Sequence, residues 1–268
     1  MYKMMAIDID DTLLNDEREV STGTKAALAE AAAHGVTVTL ATGRMYASAK
    51  QLAAQLELNV PLITYQGSLV KNSIDGKVLY ERAVTGPAAH FLFRYAEEHD
   101  LHLQSYYNDV LYVKEANQKA IDYAELSKIP FEVYAAFHEL ADKPNTKLLM
   151  IDDPERLDEV AADLRKHIGH EVHITKSKPH FLEFVHIEGT KGHALAALAA
   201  HFGYELSQVI AIGDSFNDRE MLQTAGLGVA MGNAVPALKE IADYVTLSNN
   251  EDGIKHVVDK FVFNRVNV

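Results

Sequence analysis

Short apolar runs alternate with alanine-rich or amphipathic stretches along most of this chain, and the runs end on acidic or turn-forming residues. Met4-Met5-Ala6-Ile7 is one such run, and it stops at acidic residues as a buried strand does at its C-terminal end. Ser21 then offers a helix cap, the alanine-rich segment 25–34 reads as helix, and Gly35 stops it. Val36-Thr37-Val38-Thr39-Leu40 is β-branched and predicts a second strand. A helical period over 46–56 precedes a third short strand, Pro61-Leu62-Ile63-Thr64. Strands alternating with helices predict βαβ units and a parallel sheet.

The rhythm then breaks. Asp75-Gly76 lies between Leu69-Val70 and Val78-Leu79-Tyr80 and reads as a hairpin turn. From 83 to 187 a helix (88–99) precedes paired strands (102–106 and 110–113), and a helical stretch (117–127) leads to a strand (131–134). Another strand (147–151), a helix (154–167) and two more strands (171–176 and 181–186) follow. That order predicts a small α+β unit with an antiparallel sheet. After Gly192 the first rhythm returns as helix 193–202, strand 208–212, helix 218–224, strand 228–231 and helix 235–241, and 249–260 reads as a final capped helix. The fold class expected is α/β: a Rossmann-like parallel-sheet core, 1–82 and 188–268, with an inserted α+β cap domain, 83–187.

Composition narrows the chemistry. The 268 residues hold 48% hydrophobic and 24% charged residues, close to the globular average. Cys is 0, which excludes disulfides, thiolate metal sites and a cysteine nucleophile. The formal net charge of -13 disfavours nucleic acid and anionic lipid as partners, since both need clustered cations. No apolar run reaches the ~18 residues of a membrane span. The first residues lack a signal peptide's long apolar stretch and cleavage site, so a cytoplasmic protein is expected.

Four segments carry candidate chemistry. Asp8-Ile9-Asp10-Asp11-Thr12 packs three carboxylates at the end of an apolar strand, where parallel α/β sheets place ligands. Like charges so close raise one another's pKa unless a cation joins them, and hard oxygen donors suit Mg²⁺. A solvated acidic turn is the plain alternative. Gly213-Asp214-Ser215-Phe216-Asn217-Asp218 follows another apolar strand and brings a second acidic loop to the same edge, so the two can close one cation site. Ala41-Thr42-Gly43-Arg44 joins a strand to a helix N-terminus and reads as an anion site or an ordinary turn. Lys191, in Gly189-Thr190-Lys191-Gly192, is alone a solvated lysine. Its place where the chain re-enters the core makes it a candidate to balance phosphate charge.

The order of these segments resembles the haloacid dehalogenase superfamily of phosphatases. Its four motifs correspond here to Asp8-Ile9-Asp10-Asp11-Thr12, Thr42-Gly43-Arg44, Lys191-Gly192 and Gly213 to Asp218. The large insert after the second motif and Gly228-Val229-Ala230-Met231-Gly232-Asn233-Ala234 look like the Cof-type branch. The resemblance implies that Asp8 attacks phosphorus to give an aspartyl-phosphate and that Asp10 serves as general acid and then base. It implies that Mg²⁺ is held by the Asp8 carboxylate, the Asp10 backbone carbonyl and Asp214, with Asp218 supporting that shell. The Thr42 hydroxyl, the Gly43 and Ile9 amides, Lys191 and Asn217 are the implied phosphate donors. Asp11 stands where the family often has Gly, Gln66-Gly67 where relatives commonly show Asn-Gly, and the approach to Lys191 is slightly tighter than usual.

The reading is then a Mg²⁺-dependent phosphatase of small phosphorylated metabolites such as sugar phosphates, nucleotides or phosphorylated cofactors. A phosphomutase of the same superfamily and a non-catalytic phosphate-binding regulatory protein are the alternatives. A dinucleotide-binding oxidoreductase is disfavoured because no Gly-x-Gly-x-x-Gly follows the first strand. The 13 His are scattered and read as surface or packing residues; Tyr106, Tyr107, Tyr112 and Tyr123 read mostly as cap core or rim, with one or two able to face the substrate, and Glu183 as a cap residue able to face the site. The sequence leaves the oligomeric state open.

Overall fold

The computed structural model describes residues 1–58 and 60–265. The chain forms two compact units, one from Met1–Tyr80 with Thr190–Val268 and the other from Glu81–Gly189.

The first unit begins with β1 (Met4–Ile7), α1 (Thr22–Ala33), β2 (Thr37–Leu40), α2 (Tyr46–Gln55) and β3 (Pro61–Thr64). Ser21 caps α1 by accepting the Thr24 N–H at 3.0 Å, which satisfies one of the helix's orphan donors. Every side chain of β1 is fully buried, worth roughly 1.5–3 kcal/mol for each large apolar residue. Continuous burial explains why this strand reads as an apolar run rather than as an alternating one.

At β3 the structure departs from the expected parallel order. An isolated Ala41–Ile63 bridge and the Thr39 hydroxyl, which donates to the Pro61 carbonyl at 2.6 Å, join it to the β2 side in place of a full ladder, since Pro61 has no N–H to offer one. The chain turns back after Thr64, and β3 pairs antiparallel with β4 (Leu69–Asn72) in a separate three-stranded sheet completed by β5 (Val78–Glu81).

The second unit follows in chain order as α3 (Gly86–Glu98), β6 (His102–Tyr107), β7 (Val110–Val113), α4 (Gln118–Ser127), β8 (Phe131–Val133), β9 (Lys147–Ile151), α5 (Pro154–Ile168), β10 (Val172–Lys178) and β11 (Phe181–His186). Its six strands are ordered β10-β11-β9-β6-β7-β8. The pairings are antiparallel as expected, except that β7 and β8 run parallel. The alternate residues Leu103, Leu148, Met150, Leu182 and Phe184 share one buried core with Leu92 of α3 and Leu157 and Leu164 of α5. The period of two in each strand is what delivers those residues to one face.

The chain returns to the first unit with α6 (Lys191–Phe202), β12 (Val209–Gly213), α7 (Arg219–Thr224), β13 (Leu227–Ala230), α8 (Pro236–Lys239), β14 (Tyr244–Val245) and α9 (Gly253–Val257). The five core strands are all parallel, in the order β14-β13-β12-β1-β2. This is the expected α/β sheet, with β1 and β12 side by side at its centre. The final helix expected over 249–260 is shorter, since α9 gives way to an i→i+5 turn over Val258–Val262. Among the described residues no helix is long and apolar enough to cross a membrane.

Candidate active site

Adjacency of β1 and β12 brings two acidic loops together. The Asp8 N–H donates to the Ile212 carbonyl at 3.0 Å, which carries the strand ladder one residue past β1. Two i→i+5 bonds then fold Ile9–Leu13 into a wide turn: the Leu13 N–H reaches the Asp8 carbonyl and the Leu14 N–H the Ile9 carbonyl. Asp11 sits in that turn at φ +61°. This is the left-handed region that Gly enters freely and Asp tolerates, and it accounts for the departure from Gly noted above.

Asp8, Asp214 and Asp218 each place a carboxylate oxygen within 4.8 Å of the others. Lys191, the first residue of α6, is fully buried among them. Its Nζ donates to Asp8 Oδ1 at 2.5 Å and to Asp218 Oδ1 at 2.7 Å. Asp218 Oδ2 accepts the Asp214 and Ser215 N–H groups, each at 3.1 Å, so both of its oxygens are engaged. Asp214 Oδ1 accepts the Thr12 hydroxyl at 2.9 Å. Thr12 lies in the first motif without a role read for it from sequence.

One ammonium among three carboxylates leaves a charge deficit. Burial, opposed by Lys191 but reinforced by Asp218 and Asp214, pushes the Asp8 carboxyl well above its usual range. Burial and the Asp218 charge push Asp214 up to about 7. Burial works against the Lys191 charge, but Asp218 and Asp8 outweigh it and hold the ammonium above its ordinary value. A divalent cation taking oxygen donors from Asp8 and Asp214 would offset the excess, and the all-carboxylate donor set fits a hard ion.

Asp10 points elsewhere. Its side chain is half exposed, and Arg44 grips it with two bonds, Nε to Oδ2 at 2.9 Å and a terminal guanidinium nitrogen to Oδ1 at 2.6 Å. Partial burial tends to raise the Asp10 carboxyl, but the Arg44 hydrogen bonds and charge prevail and draw it below its usual value. Arg44 belongs to the second motif, where the sequence alone gives it no role of its own; its place two residues after Thr42, beyond the end of β2, is the signal for this one.

Thr42 is buried, and its Oγ1 accepts the Arg44 N–H at 3.1 Å, leaving the hydroxyl proton to donate. Gly43 follows it directly. Ile9 is fully buried, and its amide stands beside Asp8 by sequence. Asn217 donates from Nδ2 to Gln66 Oε1 at 3.0 Å. The structure therefore gathers Asp8, Asp214, Asp218 and Lys191 into one cluster, pairs Asp10 with Arg44, and joins Asn217 to Gln66. Gln66 is the departure from Asn seen in the sequence, where it reads as a residue able to alter substrate contacts.

Comparison with known proteins identifies the family. The family model of haloacid dehalogenase-like hydrolases matches residues 5–258. The chain is 36% identical over 270 residues to a Streptococcus pyogenes protein provisionally named a phosphatase, covering 98% of this chain and 99% of that one. It is 33% identical over 264 residues to the Bacillus subtilis 5-amino-6-(5-phospho-D-ribitylamino)uracil phosphatase YcsE, covering 97% and 96%. The crystal structure of TM0651 from Thermotoga maritima superimposes with a TM-score of 0.85 at 33% identity, over 100% of this chain and 98% of that one. Strand-end acids, buried lysine and whole-chain likeness converge: the chain belongs to the haloacid dehalogenase-like hydrolases, as a phosphoric monoester hydrolase of their Cof-type branch.

Proposed function

We propose that this protein hydrolyses small phosphomonoesters, such as sugar phosphates, nucleotides or phosphorylated cofactors, through an aspartyl-phosphate on Asp8. The observation that carries the reading is the buried Asp8 carboxylate held 2.5 Å from Lys191 with Asp214 and Asp218 alongside. That YcsE is named for a ribityl phosphomonoester supports the substrate class.

Asp8 and Asp214, with the Asp10 backbone carbonyl and with Asp218 in support, would hold Mg²⁺. When bound, the ion supplies charge neutralisation that keeps Asp8 ionised and a phosphate oxygen close. In the first step an Asp8 oxygen bonds to phosphorus, the ester P–O bond breaks, and Asp10 gives its proton to the departing oxygen. In the second, Asp10 takes a proton from water, the water oxygen bonds to phosphorus, and the Asp8–phosphorus bond breaks to release phosphate. The Arg44 bonds favour Asp10 as carboxylate, the form this second step needs, and the grip must loosen for Asp10 to carry the proton given in the first step. Lys191, the Thr42 hydroxyl, the Gly43 and Ile9 amides and Asn217 serve the phosphoryl oxygens, where fixed donors matter most.

The test is phosphate release from p-nitrophenyl phosphate and a panel of phosphorylated metabolites, with Mg²⁺, with chelator, and with Asp8→Asn alongside. Release that requires metal and disappears in the variant is expected. Release that survives in folded Asp8→Asn would overturn the mechanism.

A further inference from the structure

Tyr65, Gln66 and Gly67 follow one another in the left-handed region, at φ +52°, +63° and +112°. For the two that carry side chains this costs on the order of 1 kcal/mol or more each, and both are buried. Such a run persists only where surrounding contacts over-determine it. Here those contacts lead to the loops of the site. The Gln66 N–H donates to the Thr42 carbonyl and the Tyr65 N–H to the Arg44 carbonyl, each at 3.0 Å. Gly67 bridges Thr190, the residue before Lys191, so closely that a Cβ would stand 2.2 Å from the Thr190 backbone carbonyl. A Cβ on Gly43 would stand 2.5 Å from Gln66 Nε2, so the Gln66 amide lies directly against Gly43. From there its Oε1 reaches Asn217.

Resting on the phosphatase reading above, we propose that Gln66 is a positioning residue for the phosphoryl group: it holds Asn217 by one amide N–H so that the other is aimed at an anionic oxygen. A carboxamide nitrogen carries two N–H bonds in one plane, so fixing the first sets the direction of the second. The torsional freedom of Asn217 is removed before the anion arrives, and a preorganised donor binds more strongly than one ordered on binding. The left-handed turn is the structural device that brings Gln66 close enough. A side chain one methylene shorter withdraws the acceptor by about 1.5 Å and opens the bond beyond hydrogen-bond distance.

Gln66→Asn keeps a residue that tolerates the left-handed backbone, and Gln66→Met keeps the length while replacing the amide oxygen by a thioether, a far weaker acceptor. We would measure kcat and KM for p-nitrophenyl phosphate, and orthophosphate binding by titration calorimetry. The proteins compared are wild type, both Gln66 variants, Asn217→Ala and the Gln66→Met/Asn217→Ala double variant, all with Mg²⁺. Each Gln66 variant is expected to weaken orthophosphate binding and raise KM by about three- to tenfold. The double variant should be no worse than Asn217→Ala alone, since Gln66 acts through it. Unchanged orthophosphate affinity in both Gln66 variants, or effects that multiply fully in the double variant, would overturn the proposal. A wild-type protein that binds orthophosphate yet hydrolyses no ester would overturn the phosphatase reading instead, and the titrations would still decide the role of Gln66.

Discussion

Lys191 and Asp8 stand 183 positions apart in the sequence, yet the Lys191 Nζ lies 2.5 Å from the Asp8 carboxylate. The insertion of a whole second unit between them separates the two motifs in sequence without separating them in space. Because Lys191 also holds Asp218, one ammonium ties the end of β1 to the loop after β12.

Lys191→Met should cost both stability and activity. Removing one partner of a buried ionic cluster leaves uncompensated charge, worth about 3–5 kcal/mol. The loss, read by denaturant unfolding at neutral pH, should shrink in mildly acidic buffer as the orphaned carboxyls take up protons. Full stability at neutral pH would show that the ammonium is not needed to balance Asp8 and Asp218.

Asp214→Asn should separate stability from function. Its carboxyl is pushed up to about 7, so its charged form weakens the fold progressively as pH rises from the ordinary carboxylate value toward neutrality. The neutral amide keeps an acceptor for Thr12 and removes that penalty. Without metal the variant is therefore expected to be more stable by about 1–3 kcal/mol above pH 7, with the gain fading toward pH 4. Mg²⁺ should raise the melting temperature of the wild type and barely move the variant, whose phosphate release should fall at least about a hundredfold. A destabilised variant with intact metal response would contradict the charge-deficit explanation.

Arg44→Ala should leave the fold nearly intact, because the pair with Asp10 is partly exposed, half on the Asp10 side and a quarter on the Arg44 side, and solvent-screened pairs contribute about 1 kcal/mol or less. Turnover should drop by about tenfold or more as Asp10 loses its orientation. Arg44→Lys should restore only part, since an ammonium cannot make the two-point grip. Steady-state kinetics on the three proteins would decide this, and equal rates would remove Arg44 from the mechanism.

The second unit carries its own pH signature. Burial, aided by the Lys119 charge and opposed by Glu115 and Asp152, lowers His102 to about 4, and Asn117 Nδ2 bonds its Nδ1 at 3.1 Å. The unfolded chain takes up this proton near pH 6.5 and the folded chain only near 4, so stability falls as pH drops through that window. Denaturant titrations at pH 7 and pH 4.5 should show His102→Gln losing a few kcal/mol less than the wild type over that interval. Equal losses would place the acid sensitivity elsewhere.

The acidic candidates and Thr42 are legible because they sit where an apolar strand stops, and a run such as Val209–Gly213 announces its own end; Lys191, at the start of a helix, stands out by its place where the chain re-enters the core. The clustering of Asp8, Asp214 and Asp218 follows once β1 and β12 are neighbours, which the alternating pattern implies without specifying. What stayed hidden depends on distances that no local pattern encodes. The Asn217–Gln66 bond joins residues 151 positions apart, and the Arg44–Asp10 grip bridges the ends of two different strands. The reversal after β3 is carried by three left-handed residues, of which Tyr65 gives no turn signal. At two residues, β14 is too short to show a period.

The most direct test of the proposed chemistry is to look for the phosphoryl group on the chain during turnover. With Mg²⁺ and excess substrate, acid quenching followed by peptide mass spectrometry should find one added phosphoryl group on the peptide containing Asp8, absent in Asp8→Asn and lost on treatment with hydroxylamine. Steady turnover with no phosphorylated residue, or with the group on a different side chain, would contradict nucleophilic attack by Asp8.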